Sequence, residues 1–492
     1  MWHFALAVTA DTLTATDNTI PLHIHIAMTE TSSPEALRES LRRHQQDHVL
    51  RWWDELSGQQ RSALADQIES VDFSLLRGLL TSETVAEDPL DMARRADPPA
   101  QIVRSGSNPI ERAAAKRAGE EILRAGRAGA LLVAGGQGTR LGFPHPKGMF
   151  PLGPVSNRPL FQILAEQLLA RSRNAGVPIP YYIMTSDATH QETVAFFEEH
   201  GYFGLSRDDV FFFRQGNMPA VEASSGRLLL AEKGQLSVSP DGHGGMLAAL
   251  DSAGLFEDMR RRGVDFLHYH QVDNPTAIVC DPVFLGFHAV RSSELSTKVV
   301  AKVAAEERMG VLVDVDGQTR IVEYSDMPED VARQTDDSGS LRHWAGNTAV
   351  HVFSRSFLER IIGDESALPF HLAKKAVPHV DENGQLFEPE QPNAVKFERF
   401  IFDALPLARS TLIVEVDRAT EFSPVKNKDG ADSPETAQAA MIALHRAWIE
   451  SAGARVAHKV PVEIGGGFAL DAEEAAHRIE PGTEIDAPAY LG

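Results

Sequence analysis

The chain has 492 residues, of which 43% are hydrophobic and 24% charged, and its formal net charge is −22. This length predicts two or three domains, because a single hydrophobic core rarely serves so many residues. The negative charge excludes broad non-specific binding to nucleic acid or to an anionic membrane surface, and it means that an anionic substrate needs a local basic pocket. The single cysteine, Cys280, excludes an internal disulfide and predicts a cytoplasmic protein. No stretch has the roughly 20 apolar residues of a membrane span.

The N-terminal part of the sequence predicts a helical region over residues 1–107. Ser33 directly before Pro34 is typical of a helix start, and apolar residues then recur at helical spacing. Residues 88–107 contain prolines and are polar, and we expect them to form a linker or an irregular strap.

The first 28 residues have no predicted role in the fold. They are apolar at the start, lack a basic segment and soon reach Asp11, so they do not predict a signal peptide. Two alternatives stay open for this segment, namely disorder or a true start at Met28.

From residue 130 onward the pattern alternates between apolar runs and helical periodicity. Such alternation predicts βαβ units and a mostly parallel sheet. The expected strands are 130–134, 181–185, 211–213, 266–272, 298–303 and 311–315. The expected helices are 110–126, one opened by Asn157 and Pro159, 190–200 and 435–451.

The stretch 131–150 combines a strand, a glycine-rich loop and two positive charges. The glycines and cations are Gly135, Gly136, Gly138, Arg140 and Lys147. Glycines let backbone N–H groups approach a phosphate, and the cations can neutralise its charge. The spacing fits neither a P-loop nor the dinucleotide fingerprint. The residues alone therefore leave two interpretations open, a triphosphate cradle or a glycine-rich turn with solvated charges.

Nine motifs follow one another in the order found in the eukaryotic-type UDP-sugar pyrophosphorylases. They are VAGGQGTRLG (133–142), PKGM (146–149), FRQG (213–216), PDGHGG (240–245), VDN (272–274), VEYS (322–325), AGN (345–347), VKFE (395–398) and EFSPVKN (421–427). The chain resembles this family over nearly its whole length from about residue 40, and the subgroup it resembles most is UDP-N-acetylhexosamine pyrophosphorylase.

The resemblance implies a fold and a domain division. The fold class is α/β, a Rossmann-like, GT-A-like nucleotidyltransferase with a central mixed, mostly parallel sheet and flanking helices. A helical N-terminal region over 1–107 precedes the catalytic domain over 108–408, and a small α+β domain over 409–492 follows it.

The resemblance also implies an activity. The expected reaction is a uridylyl transfer in which UTP and a sugar 1-phosphate give a UDP-sugar and pyrophosphate, with Mg²⁺ as cofactor. No covalent intermediate is needed, so the protein has to position the reactants and neutralise their charge. No nucleic-acid or membrane partner is expected, and the sequence does not indicate an oligomeric state.

The resemblance assigns roles to residues inside the motifs. The expected UTP-binding residues are Val133, Ala134, Gly135, Gly136, Lys147, Gln215, Gly242, Asp273 and Lys396. The expected catalytic residues are Arg140, Lys147, Lys396 and Lys426, with Arg140 included for its charge and position beside the glycines. The expected sugar-binding residues are His243, Glu323, Tyr324, Asn347 and Lys426. Asp273, at the end of a predicted strand, is the expected metal ligand, since one carboxylate suffices for Mg²⁺ when phosphates supply other oxygens.

One position departs from the subgroup. The hexosamine enzymes that the chain resembles carry asparagine after the glycine of the second glycine loop, whereas this chain has His243, as UDP-glucose pyrophosphorylases do. N-acetylglucosamine 1-phosphate is therefore the expected sugar substrate and glucose 1-phosphate the alternative. Phe400 and Phe402 either wall the N-acetyl pocket or belong to the core.

A third interpretation belongs to a different class of protein, a non-catalytic regulator that binds UDP-sugars. It requires a lost cation or metal ligand, and Lys147, Asp273, Lys396 and Lys426 are all present. His268 and His270 alternate along a predicted strand, and we interpret them as core residues rather than metal ligands.

Overall fold

The structure, a computed structural model, describes residues 34–81, 89–100, 102–104, 106, 108–364 and 367–492. The first 28 residues, for which the sequence leaves open disorder or a true start at Met28, lie outside the described residues. Among the described residues, no helix is both long and apolar enough to cross a membrane.

The described elements are numbered in chain order. The helices are α1 Pro34–Arg43, α2 Gly58–Glu69, α3 Phe73–Thr81, α4 Pro89–Arg95, α5 Pro109–Arg124, α6 Leu160–Ala175, α7 His190–Glu199, α8 Met246–Ser252, α9 Leu255–Arg262, α10 Pro282–Val290, α11 Glu329–Ala332, α12 Arg355–Ile362, α13 Arg418–Glu421, α14 Pro434–Ser451 and α15 Ala472–Arg478. The strands are β1 Ile102–Val103, β2 Ala128–Val133, β3 Tyr181–Thr185, β4 Val210–Arg214, β5 Asn217–Pro219, β6 Val221–Glu222, β7 Leu230–Glu232, β8 Gln235–Leu236, β9 Val238–Pro240, β10 Phe266–Gln271, β11 Leu295–Ala301, β12 Val311–Val315, β13 Gln318–Val322, β14 Ala345–Ser354, β15 Phe370–Lys375, β16 His379–Val380, β17 Leu386–Phe387, β18 Ala394–Arg399, β19 Thr411–Glu415, β20 Arg455–Val456, β21 Val462–Ile464, β22 Glu484–Ile485 and β23 Ala489–Leu491.

Ten strands form the central sheet. Its order is β1-β19-β11-β14-β10-β2-β3-β4, with β12 joined to β14 and β13 joined to β12. Strands are parallel along this path except on the two sides of β14, which runs antiparallel to β10 and to β11. The mixed, mostly parallel α/β sheet that the sequence predicts is confirmed.

The central strands are buried on both faces. Leu131 of β2 contacts one hydrophobic cluster, and Leu132, which points the opposite way, contacts the other. Helices cover both faces, so strands such as β2 are near-continuous apolar runs, as parallel strands in α/β folds are. This arrangement leaves the carboxyl ends of β2 and β10 side by side at one edge of the sheet.

Several predicted bounds differ from the observed ones. β3 and β12 have the predicted limits, whereas β11 begins three residues before the predicted 298–303. No strand was predicted over β14, whose sequence AGNTAVHVFS contains polar residues and a positive φ at Ala349. Lys298 of β11 and Asn347 and Thr348 of β14 make polar contacts within the protein. Such polar residues interrupt the apolar pattern from which strands are predicted.

The linker predicted over 88–107 is wrong in part. Residues Pro89–Arg95 form α4, and Ile102–Val103 forms the edge strand β1, which pairs with β19. The prolines mislead here because a proline at the first turn of a helix removes no needed hydrogen bond.

The N-terminal helices pack on a second, smaller sheet. Leu41 of α1 and Leu64 of α2 share a hydrophobic cluster with Val395 and Phe397 of β18. The apolar residues around Leu50 recur at helical spacing, but the chain there forms two short 3₁₀ turns, Asp47–Leu50 and Trp53–Glu55, rather than one helix. The N-terminal region therefore supports the strand that carries the VKFE motif.

The C-terminal segment adds a small α+β unit. Helix α14 has the limits expected within one residue, and strands β20–β23 with α15 build a separate cluster on its far end. The Glu463 carboxylate holds this unit on the central part by accepting hydrogen bonds from the backbone N–H groups of Val155 (2.9 Å) and Ser156 (2.8 Å). The division at residue 409 stays a prediction, and β19, which follows that residue, pairs inside the central sheet.

Candidate active site

The glycine loop begins where β2 ends. Val133 closes the strand, and the N–H of Ala134 still donates to the carbonyl of Met184 in the neighbouring strand (2.8 Å). The chain then leaves the sheet and returns, so that the N–H of Lys147 donates to the carbonyl of Gly136 (3.0 Å). The loop is thus a closed unit at the carboxyl end of a buried strand, the position where open α/β sheets bind ligands.

Gln215 lies directly against this loop. It follows β4, and its backbone N–H donates to the carbonyl of Thr185 (2.9 Å). A Cβ at Gly135 would lie 2.4 Å from the side-chain oxygen of Gln215, so a larger residue there would displace the Gln215 amide. The structure therefore brings together the glycine loop and Gln215, both of which are predicted to bind UTP.

The second glycine loop packs on the end of β18. Gly242 has φ +87°, and a Cβ there would lie 2.4 Å from the carbonyl oxygen of Arg399. The N–H of Arg399 donates to the carbonyl of Asp241 (2.7 Å), and the N–H of Asp241 donates to the carbonyl of Gly216 (2.9 Å). The motifs FRQG, PDGHGG and VKFE therefore meet at one point, and glycine is required at 242 for both its conformation and its contact.

The Asp241 carboxylate is buried inside this junction. A Cβ at Gly216 would lie 2.7 Å from its Oδ2, and a Cβ at Gly245 would lie 2.1 Å from its Oδ1. Burial raises the pKa of Asp241 to about 6, although the charge of Arg399 opposes the rise. The folded protein thus binds this proton more tightly than the unfolded chain does, and the ionised form is costly above pH 6.

Asp241→Asn is expected to stabilise the protein at alkaline pH. The asparagine keeps the shape and removes the buried charge, so the free energy of unfolding should rise by about 1–3 kcal/mol at pH 8. The difference should shrink as the pH falls from 6 towards 4, where Asp241 becomes protonated in the folded state. Thermal unfolding midpoints of wild type and variant at pH 8 and pH 5 measure this. The exposed Asp251→Asn should give a difference that is small and independent of pH, and such a result for Asp241→Asn would contradict the prediction.

Lys147 and Asp273 face each other across the loop. Asp273 follows β10, which is the strand next to β2, and its Oδ2 lies 3.6 Å from Nζ of Lys147. Both side chains are largely buried, with 16% and 13% of their surfaces exposed. A predicted phosphate-binding cation and the predicted metal ligand are therefore neighbours at the carboxyl ends of adjacent strands.

Asn274 fastens the last motif, EFSPVKN, to this edge. Its Nδ2 donates to the carbonyl of Glu421 (2.8 Å), and its Oδ1 accepts from the N–H of Ser423 (3.1 Å). The N–H of Val425 donates to the carbonyl of Asp273 (2.8 Å). Residues some 150 positions apart in sequence are thus held side by side, and Lys426 follows directly.

A buried ion cluster holds the same segment from beneath. Nζ of Lys298 lies 2.7 Å from Oδ2 of Asp281 and 2.5 Å from Oε2 of Glu421. Burial alone would lower the pKa of Lys298, but the two carboxylates outweigh it and raise this pKa, so Lys298 stays protonated. The cluster ties β11, the start of α10 and the EFSPVKN segment together.

Lys426 lines a cavity of about 910 Å³. Arg140 from the glycine loop and Tyr324 line the same cavity. The backbone N–H of Lys426 donates to the carbonyl of Asp432 (2.6 Å), which fixes the start of the cavity wall. Cations from the first and the last motif therefore border one space.

Glu323 and Asn347 gather around Gly310. A Cβ at Gly310 would lie 2.8 Å from Oε1 of Glu323, and the N–H of Asn347 donates to the carbonyl of Gly310 (2.9 Å). Burial, together with the charge of Asp326, raises the pKa of Glu323, while the nearby charge of Lys426 opposes this rise. The predicted sugar residues thus form a group beside Lys426.

His243 lies between the second glycine loop and two phenylalanines. Its Nδ1 accepts a hydrogen bond from the N–H of Ile401 (3.2 Å). Its ring centroid is 5.4 Å from that of Phe400 and 5.5 Å from that of Phe402, and the two phenylalanines stack at 5.0 Å. Burial, and to a smaller extent the charge of His371, lower the pKa of His243 to about 4. The ring is neutral at pH 7, and because Nδ1 accepts, its proton lies on Nε2.

Lys396 lies on the small sheet rather than at an edge of the central sheet. It lies on β18, opposite Ala373 of β15, and is partly buried. Its neighbours Val395 and Phe397 point into the N-terminal core, so Lys396 points to the opposite face. None of the ion pairs between described residues involves its ammonium group.

Three residues that shape the site carry weak signals in the sequence. Lys298 is one, and a lysine within an apolar strand is the signal that could have revealed it. The roles of Gly310 and Asp241 cannot be recognised in the sequence, because they depend on neighbours that only the fold brings together. His268 and His270 are buried in β10, and in the described part of the chain no group of three or more potential ligands could hold a metal ion.

Comparison with known proteins decides the family. A family model described as UTP–glucose-1-phosphate uridylyltransferase matches residues 78–464, most of the chain. The chain belongs to the UDP-sugar pyrophosphorylase family. It is 38% identical over 441 residues to a human UDP-N-acetylhexosamine pyrophosphorylase-like protein 1, covering 86% of this chain and 87% of that one. It is 37% identical over 439 residues to a UDP-N-acetylglucosamine pyrophosphorylase of Saccharomyces cerevisiae, covering 87% and 90%.

A solved structure agrees with this family and with the fold. It is a uridine diphosphate N-acetylglucosamine pyrophosphorylase from Trypanosoma brucei in complex with an inhibitor, and it matches with a TM-score of 0.77 at 26% identity. The match covers 90% of this chain and 94% of that one. The predicted nucleotidyltransferase fold and the predicted family are confirmed.

As a UDP-sugar pyrophosphorylase, the chain is a uridylyltransferase, which disfavours the regulator without turnover. Enzymes of this family act on UTP and a sugar 1-phosphate and release a UDP-sugar and pyrophosphate. Nucleotidyltransferases of this kind generally use a divalent metal. Asp273 fits such a metal, because a hard cation prefers oxygen ligands and this carboxylate lies at the end of β10, beside the glycine loop that follows β2.

Proposed function

We propose that this enzyme forms UDP-N-acetylglucosamine and pyrophosphate from UTP and N-acetylglucosamine 1-phosphate. The observation that supports it most is the connection of Lys147 and Asp273 to the segment of Lys426 through the hydrogen bond between Val425 and Asp273. Two cations and one carboxylate converge from opposite ends of the chain, as an in-line transfer between two anionic substrates requires. The names of the relatives at 37–38% identity support the choice of sugar.

On the UTP side, backbone N–H groups of Gly135 and Gly136 approach the phosphates, with Val133 and Ala134 forming the floor of the uridine site. Gln215 both donates to and accepts from the uracil edge, so cytosine would leave a buried group unpaired. Gly242 lets the backbone approach the same base.

On the phosphate side, Lys147 and Arg140 neutralise the charge that develops on the leaving pyrophosphate. Asp273 would hold Mg²⁺, which would supply further positive charge beside the phosphates. Lys396 contacts the phosphates of UTP, and Lys426 holds the sugar phosphate so that its oxygen attacks the α-phosphorus in line.

On the sugar side, Glu323 accepts hydrogen bonds from hydroxyls, and Tyr324 and Asn347 complete the ring of polar contacts. Phe400 and Phe402 offer the apolar surface that suits the methyl group of an acetamide. Nε2–H of His243 is a donor, which suits an acceptor on the sugar. The cytoplasmic location remains a prediction from the single cysteine.

The test is a panel of sugar 1-phosphates. Pyrophosphate release is measured with UTP, Mg²⁺ and N-acetylglucosamine, N-acetylgalactosamine, glucose or galactose 1-phosphate. We expect the highest kcat/KM with N-acetylglucosamine 1-phosphate. No turnover with any of the four would refute the proposal, and a higher value for glucose 1-phosphate would favour the alternative sugar that His243 suggests.

His243→Asn is expected to change the ratio between sugars. An asparagine amide both donates and accepts, whereas His243 offers only a donor once Nδ1 is taken by Ile401. We expect kcat/KM for N-acetylglucosamine 1-phosphate, relative to glucose 1-phosphate, to rise by about tenfold, the order that one pocket contact supplies. His458→Asn, at an exposed position of the C-terminal unit, is the matched control. An unchanged ratio in His243→Asn would remove His243 from sugar selection.

A further inference from the structure

His371 lies beside the predicted sugar residues without belonging to any of the motifs. It is on the edge strand β15, in register with Glu398 of β18. Residues directly opposite each other in an antiparallel pair point to the same face. Ala373 and Lys396 form the next such pair on that face. His371 therefore shares its side of the small sheet with the predicted phosphate-binding lysine.

Two contacts place His371 at the aromatic wall of the sugar pocket. Its ring centroid is 4.6 Å from that of Phe400, whose ring also packs against His243. Its Nε2 lies 2.8 Å from Oδ2 of Asp403. A single phenylalanine thus separates it from His243, while a carboxylate fixes the orientation of its ring.

Several negative charges face His371, and Lys396 is a cation on the same side of the small sheet. Asp403 lies on the 3₁₀ segment after β18, Glu398 lies on β18, and Glu323 and Asp326 come from the segment after β13. The only histidine facing it among the described residues is His243, which is neutral at pH 7.

These carboxylates change the charge of His371. Burial alone would lower the pKa of His371, but the hydrogen bond with Asp403 and the charges of Asp403, Asp326 and Glu323 outweigh burial and raise this pKa above 6.5. The imidazolium of His371 therefore persists to higher pH than that of an ordinary histidine, and it is lost as the pH rises through the raised pKa.

We propose that His371, paired with Asp403, is a positioning residue for the sugar 1-phosphate and supplies the positive charge that lets this dianion enter beside Glu323 and Asp326. The inference rests on the proposed function and deepens it. A dianion that approaches this group of carboxylates meets repulsion, and Lys426 is the other cation facing Glu323. Binding of the sugar 1-phosphate should weaken when His371 loses its proton, whereas UTP, bound at the glycine loop, should not respond.

The experiment compares KM values for N-acetylglucosamine 1-phosphate and for UTP between pH 7 and pH 9, where the substrate phosphate, with a second pKa of about 6, is already mostly the dianion. In wild type, KM for the sugar 1-phosphate should rise by about fivefold to tenfold over this range. In His371→Gln it should be high throughout and independent of pH. His458→Gln, at an exposed position far along the chain, should behave as wild type does.

A second variant separates charge from packing. Asp403→Asn keeps a hydrogen-bond partner but removes the charge that favours the imidazolium, so the rise in KM should begin at lower pH. A merely structural role for the pair would change kcat or stability without moving this midpoint.

Each outcome decides the proposal. A His371→Gln enzyme with the wild-type KM and pH profile would overturn it, as would equal changes in KM for UTP. If His371→Gln does not fold, an unmoved midpoint in Asp403→Asn overturns it. Wild-type protein that turns over none of the sugar 1-phosphates would refute the proposed function and this inference together, whereas failure of the inference alone leaves wild-type turnover intact.

Discussion

Lys426→Ala is expected to lower kcat by about 10²- to 10³-fold, the usual cost of removing one group that stabilises transition-state charge. KM for UTP should change by less than about threefold, because the lysine meets the sugar phosphate rather than the nucleotide. The reason lies in the position of Lys426, which follows the segment that Asn274 and Val425 hold against the end of β10. Steady-state kinetics with each substrate varied in turn measure both values.

The control for this variant is Lys374→Ala, which removes an exposed lysine from β15. It should leave kcat and both KM values near those of wild type. A loss of UTP affinity in Lys426→Ala as large as its loss of turnover would contradict the assignment and place the lysine on the nucleotide.

Asp273→Asn is the second variant with a large expected effect. Because Asp273 is the predicted metal ligand and pairs with Lys147, the change should raise the Mg²⁺ concentration for half-maximal activity by more than about tenfold and lower kcat by about 10²-fold or more. The change also leaves the charge of Lys147 without its partner. The unpaired lysine cannot replace the lost metal ligand. Titration of activity with Mg²⁺ at saturating substrates measures both changes.

An exposed aspartate provides the comparison. Asp337→Asn, in the loop before β14, should show the wild-type dependence on Mg²⁺. An unchanged metal requirement in Asp273→Asn would show that Asp273 is not a ligand and that it acts through Lys147 alone.

The electrostatic design of the site explains how so acidic a chain can take two anionic substrates. With a net charge of −22, the protein repels anions at long range. Lys147 and Lys426 are brought to the site by different ends of the chain, and Arg140 shares a cavity with Lys426. The basic pocket is therefore local, and screening by salt limits the repulsion beyond it to about 10 Å.

Two buried charged residues near the site, Asp241 and Lys298, lie where separate segments of the chain meet. Asp241 carries a raised pKa because it is buried between the loops of the FRQG and PDGHGG motifs. Lys298 offsets two buried carboxylates and so fixes the segment that ends in Lys426. Such charges are costly to bury, and in this protein both groups lie where loops meet.

Much of the fold could be predicted from periodicity. The strands β3 and β12 and the helix α14 were expected within one residue of their limits, because continuous apolar runs and capped helices carry local signals. The antiparallel strand β14 could not be predicted in this way, since its polar residues serve partners that are distant in sequence. The linker over 88–107 failed for a related reason, because β1 exists only through its pairing with β19.

The sequence by itself determined the chemistry: a glycine loop after a buried strand, cations in a strongly acidic chain, and ordered motifs that resemble one family. These are properties of residue type and spacing, which are readable without a fold. Only the tertiary structure decided which residues are neighbours. It placed Lys147 at 3.6 Å from Asp273 and His371 beside Phe400, because strand order and hydrogen bonds between distant segments set such contacts, and local pattern carries no information about either.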